Sequence, residues 1–304
     1  MIELDSESQQ NLSELAELII AGKRLLFITG AGLSVSSGIR PYRSGANAIW
    51  SNYLVENGQR SSFRADPSAW WNEFWLRTHE TPEFIYAKPN AGHIAIASMV
   101  KFAQANVITQ NIDGLHLKSG ISDEHLVECH GRLGRYKCIN DDAKCPYAYE
   151  KCIYIDDINE FAQGMTSMDC DNLLITPPRC PHCKDPIMPQ TLLFDENYNS
   201  HKYFKWEYVL KWVREAEVII YVGTSFSVGI TNEAHYAAKS TKAREFNFNL
   251  YPDSINGDKI PTIVGKSEKT LPMLQELIMN LRSTSICITP TKRPINLKAL
   301  KALR

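Results

Sequence analysis

The sequence predicts an α/β protein: a parallel sheet flanked by helices and interrupted by a helical insert and a cysteine-organised module. Three observations carry that prediction. Short apolar runs, KRLLFIT (23–29), NVIT (106–109), EVIIYV (217–222) and EFNFNL (245–250), have strand length and alternate with helix-periodic stretches, which is the rhythm of a parallel sheet with helical crossovers. The first run ends in Gly30-Ala31-Gly32, and a strand, a glycine turn and a helix together open a nucleotide-binding half-unit. Residues 135–188 hold six of the eight cysteines with many Asp and Pro and weak periodicity, so something other than a large core organises them.

Composition sets the outer limits. A chain of 304 residues with 44% hydrophobic and 22% charged residues suits one large domain, or a domain with a small insert, and excludes a mostly disordered chain. Lys plus Arg is 33 against Asp plus Glu 34, so no global basic field exists to hold nucleic acid. The longest apolar stretches, 25–29 and 218–222, fall far short of the roughly 20 residues that cross a bilayer. The opening MIELDSESQQ has neither a basic nor an apolar leader segment, so no secretory signal is expected. The sparse cysteines then read as metal ligands or thiols rather than a disulfide scaffold. Cytoplasm is the expected location, with the nucleus as the alternative.

The elements follow in order. Residues 11–22 place Leu12, Leu15, Ala16 and Ile19 on one helical face, and Gly22 sits where a C-cap belongs. The strand over 23–29 and the glycine turn come next. Residues 45–88, with Trp50, Tyr53, Phe63, Trp70, Trp71, Phe74, Trp75, Phe84 and Tyr86, are expected to form a helical lobe. A helix begins near Asn90, with Pro89 by its first turn. After the cysteine block, a strand ends in Gly223-Thr224-Ser225, a helix covers 232–240, and a final helix covers 271–282. Residues 283–304 carry five Lys or Arg and no acid, as expected of a loosely attached basic tail with a short helix at LKALKALR.

Four motifs bear chemistry. Gly30-Ala31-Gly32-Leu33-Ser34-Val35 supplies the first two glycines of G-x-G-x-x-G, with Val35 in place of the third. Such glycines let backbone N–H groups approach a pyrophosphate. A P-loop reading fails, because Gly265-Lys266-Ser267 has Ile260 where the first glycine belongs. TQNIDGLH (109–116) clusters polar groups at a strand's carboxyl end, where open α/β sheets place ligands. Glu128-Cys129-His130-Gly131 follows a second sheet end; Cys129 reads as a buried, inert thiol. Cys180 and Cys183 form C-x2-C, whereas six residues separate Cys138 from Cys145, wider than the usual zinc half-site. The spacing leaves Cys152, Cys170 or His182 as possible replacements for Cys145.

In this order, GAGLSVSSGIRPYRS (30–44), TQNIDGLH, ECHG, the late C-x2-C and GTS at 223–225 resemble the sirtuins, the Sir2 family of NAD-dependent protein deacylases. The resemblance runs from about residue 11 to 282. PNAGH (89–93) and FNFN (246–249) look nearest the sirtuin-five-like desuccinylase branch. The resemblance implies a Rossmann-type domain (about 11–44, 89–134 and 189–282) with a helical insert (45–88) and a zinc module (135–188), together a catalytic domain over 1–282. It also implies NAD in the cleft between the two parts.

By the same resemblance, Gly30, Ala31 and Gly32 approach the diphosphate, with Ser34 nearby. Tyr42, in place of the family's Phe, covers the nicotinamide ribose beside Arg43. Gln110 holds the ribose, while Asn111, Ile112 and Asp113 line the nicotinamide pocket. Gly223, Thr224 and Ser225 meet the phosphates or adenine ribose, and Asn247, Phe248, Asn249 and Ser267 meet the adenosine end. His130 is the general base, Asn111 assists, and an imidazole suits the task because its ordinary pKa, about 6.5, lies near working pH. Cys138, Cys145, Cys180 and Cys183 bind one structural zinc. The partner is an acyl-lysine protein or peptide bound extended by strand addition, without membrane or direct nucleic-acid binding.

Several positions depart from the family pattern. Arg40-Pro41 replaces Pro-Asp, Gln190 replaces His or Asn, and Asp195 replaces the Gly of Phe-Gly-Glu, where it changes or crowds the acyl-lysine tunnel. The first two residues and Asp195 motivate an alternative, ADP-ribosyl transfer or NAD hydrolysis in the same cleft. The desuccinylase Tyr and Arg, three apart, are not matched by Trp75 and Arg77, although Arg40 or Arg77 offers a cation.

Overall fold

A computed structural model describes residues 3–40, 52–140, 144–162 and 174–287, with side chains omitted at 52–54 and 284–287. The sheet strands are β1 (Leu25–Thr29), β2 (Ala105–Thr109), β3 (Leu126–Glu128), and then, after the cysteine region, β7 (Val218–Val222), β8 (Arg244–Asn249) and β11 (Thr262–Val264). Between them lie β4 (Gly131–Cys138), β5 (Ile153–Tyr154) and β6 (Ile187–Thr191), and the short pair β9 (Ser254–Ile255) and β10 (Asp258–Lys259).

The six-stranded sheet has the order β11-β8-β7-β1-β2-β3, and every neighbouring pair is parallel. The chain builds outward from β1 through β2 to β3, then returns to the other side of β1 with β7. The crevice between the carboxyl ends of β1 and β7 is therefore the switch point where such sheets bind ligands. Helices cover both faces. Leu25 and Phe27 join the helices Ser6–Ile20, Ala91–Phe102 and Ser267–Cys287 in one core; Leu26 and Ile28 join Trp206–Glu215 and Gly229–Thr241 in the other. Burial on both faces explains why the central strands β1 and β7 read as apolar runs.

Two helices are longer than periodicity alone suggests. The first starts at Ser6, five residues before the expected boundary, because the Asp5 carboxylate accepts the Ser8 N–H at 2.7 Å as an N-cap. Its polar first turns carry no apolar stripe. The last helix runs from Ser267 to Cys287, past the expected end at 282. At Asn90 the start is a reciprocal cap: the Asn90 side chain accepts the Gly92 and His93 N–H groups, and the His93 ring accepts the Asn90 N–H.

The aromatic lobe and the cysteine region pack as one body. Short helices Asn52–Asn57, Arg60–Ala65 and Pro67–Ala69 lead into a π-helical stretch, Trp70–Trp75, and on to Leu76–His79. The wider turn keeps Trp70, Trp71, Phe74 and Trp75 all inside. They share a core with Tyr136, Cys138, Cys145, Ile175, Cys180 and Ile187. Trp71 Nε1 donates to Ile187 O at 3.0 Å, and Asn72 makes a reciprocal pair with the Ile175 backbone at 2.7 and 3.1 Å. In this body β4 lies between β5 and β6, antiparallel to both. Among the described residues no helix is long and apolar enough to cross a membrane.

Candidate active site

One cavity of about 850 Å³ runs between the sheet's carboxyl edge and the inserted body. Its polar end is built by the turns after β1, β7 and β8. Gly30, Ala31, Gly32, Gly223, Thr224, Ser225, Phe248, Asn249 and Ser267 all face it. The glycines are required first by packing: Gly223 has φ +59°, and a Cβ there would stand 2.4 Å from Leu33 N. The turn after β1 and the turn after β7 touch backbone to backbone, so the strand ends close into a floor without side chains. Helix Ser267–Cys287 adds its N-terminus to this end, favourable for an anion.

A closed polar cluster lies under that floor. Asn111 Nδ2 donates to Gly30 O at 3.0 Å and to Ser34 Oγ at 3.1 Å, and Ser34 Oγ donates to an Asp113 carboxylate oxygen at 2.6 Å. Leu115 N–H donates to the other oxygen at 2.9 Å. Burial pushes the Asp113 carboxyl up, opposed by the hydrogen bonds from Ser34 and Leu115. Gln110, Asn111 and Ile112 face the cavity, whereas Ser34, Asp113 and Asn247 lie behind its lining. Asn247 is buried in β8 between the sheet's neighbours, with its Nδ2 on Thr262 Oγ1 at 3.4 Å. Tyr42, Arg43, Pro41 and Cys170 lie outside the described residues.

His130 stands where the sheet and the inserted body meet, between β3 and β4. Its Nδ1 is 3.0 Å from Gln110 O. A carbonyl only accepts, so Nδ1 carries the proton and Nε2 keeps its lone pair. Nε2 is 3.2 Å from the Tyr198 hydroxyl, which donates to it. Burial holds the imidazole down at about 4, against the raising effect of the Gln110 carbonyl. His130 is therefore a neutral ring lining the cavity, its basic nitrogen on the hydroxyl of Tyr198, which lines it too. Gly131 makes this corner possible: its φ is +88°, and a Cβ would stand 1.7 Å from Gln190 O. Neighbouring Cys129 is fully buried, and burial pushes its thiol far up.

The other end of the cavity is apolar. Phe74, Trp75, His79, Ile112, Leu193 and Phe194 form it. Trp75 and His79 stack at 4.0 Å, and burial holds His79 down at about 3, so that ring is uncharged. Glu196 also reaches this end with its carboxylate committed: Lys137 Nζ at 2.5 Å, Arg60 Nη1 at 3.0 Å and Leu193 N–H at 3.1 Å. Asp195 does not crowd the channel. It turns to the helical lobe and accepts the Arg60 and Ser61 N–H groups at 2.7 and 3.0 Å, at the start of helix Arg60–Ala65. Arg40 is paired with Glu83 at 2.6 Å, and neither Arg40 nor Arg77 lines the cavity.

Most of this end was invisible to motif reading. Phe74, His79, Leu193 and Tyr198 carry no motif; the only signal was the density of aromatics in the lobe.

The four thiols Cys138, Cys145, Cys180 and Cys183 converge at the base of the inserted body, every Sγ within 4.8 Å of the others. Individual separations are 3.4, 3.6 and 3.7 Å. A tetrahedral zinc with Zn–S about 2.3 Å needs sulfurs about 3.8 Å apart, so the donor set fits that ion. Cys138 closes β4 and Cys145 immediately precedes the turn Pro146–Ala148, and both reach the cluster despite their wide spacing. Cys152 is not part of the set; its Sγ faces Gln190 Oε1 at 3.7 Å, and His182 is exposed.

Comparisons with known proteins agree with this architecture. A model described as the Sir2 family matches residues 30–229. An NAD-dependent deacetylase, sir2E, of Dictyostelium discoideum is 47% identical over 274 residues, covering 90% of this chain and 79% of that protein. A solved Sir2 enzyme structure superposes with a TM-score of 0.69 at 28% identity, covering 90% of this chain and 100% of the other. A Sir2 protein bound to a myristoylated histone peptide superposes at 0.62 with 25% identity, covering 91% and 99%. By the family match and by the 47% identity over nine-tenths of its length, this chain belongs to the Sir2 family.

Proposed function

We propose that the protein removes acyl groups from protein lysine with NAD as co-substrate, giving free lysine, nicotinamide and O-acyl-ADP-ribose. One observation carries this reading: a neutral histidine, His130, lines a single cavity whose polar end suits a dinucleotide and whose apolar end suits an acyl chain. The Dictyostelium relative is named a deacetylase, and the Sir2 protein with a myristoylated histone peptide holds an acylated chain.

NAD, when bound, would supply a ribose from which nicotinamide departs and which takes up the acyl group. The residues divide the remaining work. Gly30, Ala31, Gly32, Gly223, Thr224 and Ser225 hold the diphosphate on the strand ends, and Asn249 and Ser267 hold the adenosine end. Gln110 holds the near ribose. Asn111 and Ile112 bound the nicotinamide site, with Ser34 and Asp113 fixing Asn111 from behind. His130 takes the proton of a ribose hydroxyl; its ring is already neutral and its tautomer already set by Gln110 O. The four cysteines hold a zinc whose coordination they fill, so its contribution is to bind the inserted body together.

The acyl group is uncharged in this reading. Phe74, Trp75, Leu193 and Phe194 are apolar, and the acidic Glu196 holds the nearby Lys137 and Arg60. A succinyl carboxylate meets no cation among the described residues of this apolar end; the lining cation Lys266 stands beside Ser267 at the dinucleotide end. ADP-ribosyl transfer and NAD hydrolysis are not favoured: the similar proteins are named deacetylases and deacylases, and Asp195 is engaged with the helical lobe.

The test is product analysis by mass spectrometry after incubation with NAD and acetyl-, myristoyl- and succinyl-lysine peptides. O-acyl-ADP-ribose from the uncharged peptides, absent without peptide, is the expected result. Free ADP-ribose or modified protein in the absence of peptide is the result that refutes the reading.

A further inference from the structure

Tyr198 lies in the segment after β6 and belongs to no motif, yet its hydroxyl is the group that occupies the basic nitrogen of His130, at 3.2 Å. The ring is held rigidly. It stacks on Trp206 with centroids 4.2 Å apart and planes 10° apart, and faces His130 at 5.9 Å and 24°. Tyr198 and His130 both line the cavity.

This arrangement bears on how a proton reaches the base. His130 Nδ1–H is spent on Gln110 O, so Nε2 has one lone pair, and the phenol proton already fills it. A ligand hydroxyl must either displace Tyr198 or deliver its proton through it. Displacement breaks the bond to His130. Delivery needs no movement, because a phenol donates one hydrogen bond and accepts another.

Resting on the deacylase reading, we propose that Tyr198 is a proton relay between the ribose hydroxyl and His130. The ribose O–H bond breaks and its proton passes to the Tyr198 oxygen. The Tyr198 O–H bond breaks and its proton passes to His130 Nε2. The ribose oxygen keeps its electron pair for attack on the acyl carbon, His130 becomes an imidazolium, and Tyr198 ends with the hydroxyl it began with. Nothing is oxidised or reduced. Burial pushes the Tyr198 phenol well above its usual range, so the two protons move together rather than through a free phenolate.

The test is Tyr198→Phe, which keeps the ring and its stack. With an acetyl-lysine peptide and NAD, kcat falls about 10- to 100-fold, a fraction of a full general-base effect, while KM for both substrates changes little. An unchanged or increased kcat overturns the relay, the increase identifying the phenol as a block on the base. The wild-type proton inventory in H2O/D2O mixtures is curved, as two moving protons require, and a linear inventory overturns the proposal without relying on any variant. In the ligand-free protein, the 15N resonance of His130 Nε2 shifts toward that of an unbonded lone pair in Tyr198→Phe; an unmoved resonance also overturns it. That last readout needs no turnover. A wild type that deacylates no peptide removes the relay together with the deacylase reading, whereas turnover with a linear inventory removes the relay alone.

Discussion

The two walls of the cleft are built on different physics. The sheet wall is a layer of strands buried on both faces, with Leu25, Leu26, Phe27 and Ile28 at most 2% exposed, and its ligand-facing edge is backbone. The inserted wall has a smaller core, and two polar devices reinforce it: the four thiols and the buried Arg60–Glu196–Lys137 cluster. A large apolar core sustains itself, whereas a small one needs staples. Disturbing a staple should therefore cost the acyl end of the cavity while sparing the dinucleotide end.

The largest break should come from the metal. Chelation, or Cys180→Ser, removes a contribution of order 10 kcal/mol in small zinc modules. Near-ultraviolet circular dichroism from Trp70, Trp71 and Trp75 should change and peptide turnover disappear, while the far-ultraviolet signal of the sheet and its helices persists. Loss of both signals together would show that the walls are one folding unit. Glu196→Gln comes next. It leaves Lys137 and Arg60 without their anion in a buried site, a cost of about 3–5 kcal/mol, visible as a lower midpoint of thermal unfolding. The corresponding disturbance of the sheet wall is Gly223→Ala. Its forbidden Cβ and positive φ cost about 1–3 kcal/mol of strain and should weaken NAD binding, with acyl-chain preference unchanged.

A further contrast is in pH dependence. His79 is held at about 3, and His93, His130 and His201 at about 4, all by burial, whereas unfolded histidine titrates near ~6.5. On acidification the unfolded chain takes up these protons first. Their contribution is complete above about 6.5 and is lost as pH falls toward 4. Glu128, pushed up to about 7 by burial, acts in the opposite direction. Burial also raises Glu80 and Asp113, which side with Glu128, and lowers His116, which sides with the other histidines. With five histidines against three acids, thermal stability should decline from pH 7 to 4; a rise over that window would show that the acids dominate.

The same contrast explains what could be read from the sequence. Strands buried on both faces leave apolar runs, so β1 and β7 were legible as such, and β2 and β8 as strand-length segments with interspersed Asn, as were the turns that cap them. The four cysteines were legible only as alternatives, because the spacing of Cys138 and Cys145 depends on how far the chain travels before it returns. The apolar end was not legible. Trp70, Trp71, Phe74 and Trp75 point inward together through a π-helical turn, which has no simple period. Asp195 looked like an obstruction, but its carboxylate lies on the Arg60 and Ser61 N–H groups, which a residue-by-residue reading could not foresee. Ser34, Asp113 and Asn247 sit behind the lining rather than in it, since a motif marks a neighbourhood and not a direction.

The central claim is that the walls hold the substrates and His130 performs the proton transfer between them. It is tested most directly by measuring NAD and acyl-peptide binding alongside turnover in His130→Ala. Binding of both should be nearly unchanged while turnover falls by roughly 10²–10⁴. Full retained turnover would contradict the account.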